Sequence, residues 1–152
     1  MTAPALVLSG LTIRDRSGTA LVSDIDLTLA SGSVLLLIGE TGSGKSLIAQ
    51  AVMGLLPAGF TASGRIAING HAPVEASQAG LLRLLWSRET LLLPQEPRAA
   101  LDPTMRITGQ LRASPDARPA PAFTTQEALA AVDLPPRVGR AFPDELSGGM
   151  AQ

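Results

Sequence analysis

The first third of the chain alternates between apolar and polar positions in a way that predicts short strands. Leu6–Ile13 alternates imperfectly, and the apolar residues of Ile25–Leu29 alternate with Asp and Thr, as in a half-buried strand. Val34–Ile38 is a continuous apolar run, which is typical of a strand buried on both faces of a sheet. Gly64–Asn69 alternates again and closes on an Asn-Gly turn. This part of the chain is therefore predicted to be mostly sheet.

Helical spacing takes over in three later segments. Ser46–Leu56 places its apolar residues three and four apart, which predicts an amphipathic helix. Gln78–Ser87 shows a similar pattern, with two pairs of adjacent large apolar residues, Leu81-Leu82 and Leu85-Trp86, on one side. Met105–Leu111 predicts a short helix, whereas Thr90–Leu93 predicts a buried strand that is cut off by a proline. Strands and helices together indicate an α/β protein.

The last third is interrupted by proline. Ala113–Ala122 carries three prolines in ten residues and is predicted to be a surface linker. A helix through Val132 follows, with Thr124 or Thr125 as its cap and Glu127 in its first turn. The rest of this stretch is predicted to be irregular.

Composition excludes several classes of protein. A chain of 152 residues with 45% hydrophobic residues has room for about one packed domain, which excludes general disorder. With no cysteine, disulfides, thiolate metal sites and cysteine nucleophiles are excluded. A net charge of −1 offers no basic surface for nucleic acid, and no secretory signal is visible, so the expected location is the cytoplasm. Of the 12 basic residues only Lys45 is a lysine.

The glycine-rich segment after the predicted strand Val34–Ile38 carries the chemistry. It matches the phosphate-loop pattern G-x-x-x-x-G-K-[ST] through Gly39, Glu40, Thr41, Gly42, Ser43, Gly44, Lys45 and Ser46. A buried strand before it and an amphipathic helix after it are the context that this pattern requires. An ordinary glycine-rich turn between a strand and a helix is the alternative interpretation.

Each residue type in this loop has a physical reason to be there. Glycines let successive N–H groups turn inward around an anion, and the helix N-terminus adds further donors. Lys45 is able to reach β- and γ-phosphates, and the Ser46 hydroxyl is a suitable ligand for Mg²⁺. Arg is a poor substitute for Lys45 because the loop accommodates a slim ammonium on a flexible stem.

Two later motifs narrow the assignment. Gln95 follows the predicted strand Thr90–Leu93, and Leu146–Gln152 reads LSGGMAQ. With the phosphate loop, these motifs resemble the ATP-binding cassette (ABC) family in the order phosphate loop, Q-loop glutamine and signature. Gln95–Met105 (QEPRAALDPTM) and Phe142–Met150 (FPDELSGGM) are similar to the oligopeptide, dipeptide and nickel importer branch of that family.

The resemblance implies a mechanism and its partners. ATP would bind with Mg²⁺ between the phosphate loop of one ATP-binding domain and the signature of a second, identical or different, domain. Ser147, Gly148 and Gly149 would contact the γ-phosphate held by that partner domain. Gln95 would touch Mg²⁺ or the attacking water, and Ser46 would ligate the metal. The complex would import a small solute such as a peptide or nickel through transmembrane permease subunits, at the cytoplasmic face of the membrane.

The resemblance also implies an incomplete P-loop NTPase fold. Residues 1–94 would form an antiparallel β part and the start of a RecA-like core, and residues 95–152 the Q-loop and an α-helical subdomain up to the signature. The Walker B strand, catalytic Glu and switch His of the family follow the signature and do not occur here, which predicts a fragment with little or no ATP hydrolysis. No aromatic residue precedes Phe60, so an aliphatic contact within Arg14–Val22 is expected to replace adenine stacking.

Other interpretations remain open at this point. A nucleotide kinase would use an arginine-rich lid, for which Arg83, Arg88, Arg98 and Arg106 are candidates, but it leaves LSGGM unexplained. A binding-only remnant shares every residue with the importer interpretation, and an ABC cassette of phosphonate metabolism is a further possibility. His71 follows an Asn-Gly turn and is predicted to be a solvated turn residue, and Glu96 is not expected to be a general base.

Overall fold

The computed structural model describes residues 3–86, 88–112 and 124–151. The chain divides into two compact units, Met1–Leu92 and Leu93–Gln152, and each is described by itself. The linker predicted for Ala113–Ala122 lies outside the described residues.

A four-stranded antiparallel sheet organises the first unit. Its strands are β1 (Leu6–Arg14), β2 (Ala20–Leu29), β3 (Thr61–Ile68) and β4 (Val74–Glu75). They are arranged in the order β2-β1-β3-β4, so β1 lies between β2 and β3. The three strands predicted from alternation are confirmed, and the third ends at the expected Asn-Gly turn.

One helix and one 3-10 helix cover one face of this sheet. Helix α1 (Lys45–Val52) is shorter than the predicted Ser46–Leu56, because the chain turns at Gly54 with φ +65°. The Met53 carbonyl accepts a hydrogen bond from Trp86 Nε1 at 3.1 Å, and the Gly54 carbonyl accepts two from Arg83 at 2.9 and 2.7 Å. These side chains satisfy carbonyls that the end of α1 leaves without helical donors.

The predicted helix Gln78–Ser87 is a 3-10 helix, Ala76–Leu85, with non-helical backbone angles at Gln78. Its tighter winding changes which side chains face inward. Leu82 is buried at 3% exposure, but Leu81 is 55% exposed, so the prediction that these two residues lie on the same side is wrong.

The first unit has a single apolar core between the sheet and these helices. Leu8, Leu11, Ile13 and Ile66 are its largest fully buried side chains. The remaining buried members are Val22, Ala51, Ile68, Ala76, Ala79 and Leu82. Ala51 anchors α1 in this core, which positions the start of the helix beside the sheet.

Two predicted buried strands are wrong. Val34–Ile38 and Thr90–Leu93 do not form strands, apart from one isolated bridge between Trp86 and Thr90. Val34 is 96% exposed and Leu91 is 86% exposed. A strand buried on both faces needs neighbours that supply backbone partners and apolar cover, and neither segment pairs with a strand of the described sheet. An apolar run predicts a strand only where such neighbours are present.

The described residues of the second unit, 93–112 and 124–151, form three short α-helices and three 3-10 turns. The α-helices are α2 (Ile107–Arg112), α3 (Thr125–Ala130) and α4 (Gly148–Ala151). The 3-10 turns are Pro97–Ala100, Pro136–Arg140 and Pro143–Glu145. The buried core of this unit consists of Ile107, Leu129, Val138 and Leu146. Among the described residues no helix is long and apolar enough to cross a membrane.

Both ends of α3 carry standard capping interactions. Thr124 Oγ1 accepts a hydrogen bond from the Glu127 N–H, and the Glu127 carboxylate accepts one from the Thr124 N–H at 2.7 Å. At the other end Asp133 has φ +57°, and Leu134 N–H donates to the Leu129 carbonyl at 2.8 Å. This closure turns the chain back after the helix, which therefore ends at Ala130 and not at the predicted Val132.

Candidate functional site

The phosphate-loop segment folds around the one lysine of the chain. Lys45 Nζ donates hydrogen bonds to the Gly39 carbonyl at 2.8 Å, the Glu40 carbonyl at 2.6 Å and Ser43 Oγ at 3.1 Å. The loop is also closed by the Ser43 N–H, which donates to the Glu40 carbonyl at 3.2 Å. The ammonium group therefore lies inside the loop that the sequence pattern predicted, bound by groups that an anion could replace.

Two glycines give the loop its shape. Gly42 and Gly44 both have φ +87°, a left-handed conformation that side chains strongly disfavour. At Gly44 an added Cβ would also lie 2.6 Å from Val22 Cγ2 and 3.2 Å from the Leu21 carbonyl oxygen. Strand β2 thus packs directly against the end of the loop, and only glycine permits that approach.

The start of α1 completes the loop. The Ile48 N–H donates to the Gly44 carbonyl at 3.0 Å and is the first donor of the helix, so the N–H groups of residues 45–47 have no acceptor within the helix. A cavity of about 160 Å³ is lined by residues 42–47. Its donors, the adjacent ammonium group and its location at the helix N-terminus fit a phosphate group.

The other loop residues take simpler positions. Glu40 and Thr41 are exposed, and Glu40 contributes its backbone carbonyl to the contacts with Lys45. Ser46 is also exposed, in the first turn of α1. An exposed hydroxyl next to a phosphate cavity is available as an oxygen ligand for Mg²⁺, so the residues present fit the metal as well.

Gln95 lies in the second unit, whereas the phosphate loop lies in the first. The Gln95 side chain is exposed, two residues before the 3-10 turn Pro97–Ala100. The adjacent Glu96 provides its carbonyl to the Ala99 N–H at 3.1 Å. The structure therefore leaves the Gln95 side chain accessible, and its role in catalysis and metal binding stays a prediction.

The signature residues form the start of α4. Ser147 Oγ accepts a hydrogen bond from the Met150 N–H at 3.3 Å, so Ser147 caps the short helix. Gly148 and Gly149 are exposed, and an added Cβ at either would meet no atom within 4 Å. The three residues thus present backbone and hydroxyl groups at the surface, where a partner could reach them.

Arg98 and Arg106, which are also the candidates for a kinase lid, bind the segments that precede the signature. Arg98 Nη2 donates to the Leu146 carbonyl, directly before Ser147. Arg106 donates to the Arg140 carbonyl and lies over the Phe142 ring at 4.6 Å. Both contacts join segments more than 30 residues apart, so no local periodicity in the sequence signals them.

His71 follows the Asn69-Gly70 turn as predicted and is half exposed. Its Nε2 lies 2.7 Å from Glu89 Oε1, while Asn69 Nδ2 donates to Glu89 Oε2 at 3.2 Å. The hydrogen bond with His71, followed by that with Asn69, lowers the pKa of the Glu89 carboxyl. This cluster ties the turn to the segment before Thr90 and takes no part in the phosphate site.

The loop, the lysine ammonium that it surrounds with three oxygens and the helix N-terminus define a phosphate-binding P-loop protein. Comparison with known families then identifies the branch of that class. Residues 22–152 match the family model of the ABC transporter, and the chain belongs to that family. The family assignment confirms the resemblance drawn from the motifs and decides against a nucleotide kinase.

Individual relatives carry names of import or transport proteins. The chain is 37% identical over 138 residues to a Brucella abortus strain 2308 protein named for peptide import ATP binding. It is 35% identical over 139 residues to the oligopeptide transport ATP-binding protein OppD of Lactococcus lactis subsp. cremoris. It is 31% identical over 166 residues to the nickel import ATP-binding protein NikD of Brucella abortus biovar 1.

These matches cover most of this chain but less of the relatives. They include 86%, 86% and 100% of the chain, respectively. The same alignments include 40%, 41% and 59% of the relatives. The chain therefore spans about two fifths to three fifths of the length of these proteins.

Proposed function

We propose that this chain binds ATP with Mg²⁺ through Gly39–Ser46. The position of the Lys45 ammonium carries the proposal, because it lies within 3.1 Å of three oxygens that line the loop. A triphosphate offers stronger, charged acceptors than these carbonyls, so Lys45 would exchange carbonyl partners for phosphate oxygens. The N–H groups at the start of α1 would donate to the same phosphates.

Two residues would hold the metal. The Ser46 hydroxyl is exposed in the first turn of α1, and the amide of the exposed Gln95 would supply a second oxygen ligand. Mg²⁺ favours oxygen ligands and neutralises charge on the phosphates that it bridges. The contribution of this chain is then to orient the phosphates and to hold the metal at the loop.

At the level of the complex, we infer that the chain is the ATP-binding part of an importer for a small solute such as a peptide or nickel. The named roles of the relatives support this, as does the exposure of the signature residues Ser147, Gly148 and Gly149. In the proposed arrangement those residues contact the nucleotide of a second, identical or different, ATP-binding domain. Transmembrane permease subunits would place the assembly at the cytoplasmic face of the membrane.

ATP hydrolysis by this chain alone is proposed to be absent or very slow. Hydrolysis needs carboxylates that hold the metal and orient water, and neither apolar segment, Val34–Ile38 or Thr90–Leu93, runs into an adjacent acidic pair. Steady-state phosphate release with ATP and Mg²⁺ measures this directly. Turnover in the range typical of complete transporter ATPases would contradict the proposal.

Calorimetric titration with ATP and Mg²⁺ tests the binding site. Lys45→Ala removes the charged donor, and we expect a loss of affinity of roughly 10- to 100-fold. Lys45→Arg should weaken binding as well, because its planar guanidinium is too broad for the loop. The control is Arg65→Ala, which removes one cation from an exposed position on β3 and should leave affinity unchanged. Equal affinity in Lys45→Ala and wild type would refute the proposed site.

A further inference from the structure

The second unit contains a cavity that the nucleotide site does not use. It has a volume of about 510 Å³, within the usual range of ligand pockets, and lies in the unit formed by Leu93–Gln152. Its walls come from the end of α2, the start of α3 and the 3-10 helix Pro136–Arg140. Three of its lining side chains are cationic: Arg112, Arg137 and Arg140.

Backbone geometry brings these arginines together. A 3-10 helix has three residues per turn, so Arg137 and Arg140 lie one above the other on the same side of Pro136–Arg140. Arg112 is the last residue of α2. The Thr108 hydroxyl donates to the Gly139 carbonyl at 2.6 Å and fixes α2 against the 3-10 helix. This hydrogen bond holds together the backbone segments that carry the three arginines.

The other described arginines of the second unit form hydrogen bonds within the protein through their side chains. Arg98 and Arg106 each donate to a backbone carbonyl, and Arg106 also lies over an aromatic ring. Those guanidinium groups have structural partners that account for their presence. In the described part of the chain, the one ion pair is His71 with Glu89, so none of the three cavity arginines forms a salt bridge there.

Nothing among the described lining residues neutralises the cavity. They include no Asp or Glu, and the polar ones, such as Thr108 and Gln126, are uncharged. Glu127, in the first turn of α3, directs its carboxylate to the N–H and hydroxyl of Thr124. The Thr125 hydroxyl, also in the cavity wall, is buried without a hydrogen-bond partner among the described residues.

We propose that this cavity binds a small anion that carries two or more phosphate groups. Three like charges around one space repel one another, and a multivalent anion relieves that repulsion. Guanidinium groups match phosphate oxygens with paired hydrogen bonds, which a monovalent anion would exploit less fully. The site is separate from the phosphate loop in sequence and does not depend on nucleotide binding there.

Inorganic pyrophosphate is the probe, and calorimetric titration of the whole chain is the measurement. Because the phosphate loop also binds phosphate, the titration is made in Lys45→Ala as well as in wild type. We expect pyrophosphate to bind Lys45→Ala, and Arg137→Gln or Arg140→Gln added to that background to weaken binding about tenfold each. Arg65→Gln removes the same charge from an exposed site on β3 and should have no such effect.

The outcomes separate this site from the phosphate loop. Binding that persists in Lys45→Ala and falls with the cavity arginines supports the proposal, whatever the result for ATP. Loss of all pyrophosphate binding in Lys45→Ala overturns it, as does an equal response to Arg65→Gln and the cavity substitutions. The three arginines are exposed, so their replacement should leave the unit folded, which circular dichroism melting of each variant checks.

Discussion

At the scale of single residues, the conformation of the phosphate loop depends on two glycines, which have no side chain. Gly42 and Gly44 share the same φ of +87°, but their surroundings differ. An added Cβ at Gly42 meets nothing within 4 Å, whereas one at Gly44 collides with Val22. The pair therefore separates the cost of the left-handed backbone from the cost of crowding against β2.

Alanine at the two positions should give different losses of stability. Gly42→Ala is expected to lower the free energy of unfolding by about 1–2 kcal/mol, the cost of the left-handed conformation alone. Gly44→Ala should cost more, because Val22 and the backbone of Leu21 must move as well. Urea unfolding followed by circular dichroism measures both. Equal losses would show that β2 does not press on the loop.

Arg98 makes a hydrogen bond to a residue that is far from it in the sequence. It follows Gln95 by three residues and donates to the Leu146 carbonyl, 48 residues later. Arg98→Ala should expose residues 146–151 to faster amide hydrogen exchange, by a factor of roughly 5 to 10 for one hydrogen bond lost. Arg137→Ala provides the control, since that side chain is exposed and lines the cavity beside α2 and α3.

At the scale of elements, helix α3 shows how local signals set a boundary. Its capping box satisfies N–H groups at the helix start, and the Thr124 backbone and hydroxyl lower the pKa of the Glu127 carboxyl. A lowered pKa means that Glu127 stabilises the folded state above its ordinary pKa of about 4.3. That contribution is lost as the pH falls through the lower pKa of the folded state.

The start of α3 should therefore loosen in acid. The amide signals of Thr124 and Glu127, followed by NMR from pH 6 to pH 3, should shift together, with a midpoint below the ordinary pKa of Glu. Glu127→Gln cannot titrate and should abolish this transition. A midpoint at or above the ordinary value would contradict the hydrogen bonds described at the cap.

At the scale of the whole molecule, the chain exposes two apolar segments. Leu36 is 76% exposed and Leu91 is 86% exposed, in segments that have no regular secondary structure and no partner strand within the described residues. Exposed apolar segments whose backbone groups are not paired in a sheet favour association with other copies of the protein. The exposure of these residues results from the fold and not from their sequence alone, because the same residues would be buried inside a sheet.

Charge placed in these segments should raise solubility. Leu36→Asp and Leu91→Asp are each expected to raise the protein concentration at which light scattering shows self-association. Val132→Asp is the matched control, since Val132 is 64% exposed but lies in the turn after α3. If Val132→Asp raised the threshold as much, general charge and not these segments would govern association.

The sequence by itself determined the features that depend on local chemistry. Short-range patterns account for the strands β1, β2 and β3 and for the Asn-Gly turn. They also account for the Thr124 cap and the Ser147 cap. The phosphate loop was also found from eight adjacent residues, because the lysine and the oxygens that bind its ammonium group lie within that stretch. The placement of Lys45 inside the loop follows from the same local spacing.

Only the tertiary structure decided features that need a distant partner. Val34–Ile38 and Thr90–Leu93 have the composition of buried strands, but an apolar run cannot supply its own neighbours. The contact of Val22 with Gly44 and the grouping of Arg112, Arg137 and Arg140 likewise join residues far apart in the chain. Periodicity indicates which residues favour burial and which favour solvent, whereas tertiary packing determines which of them are in contact.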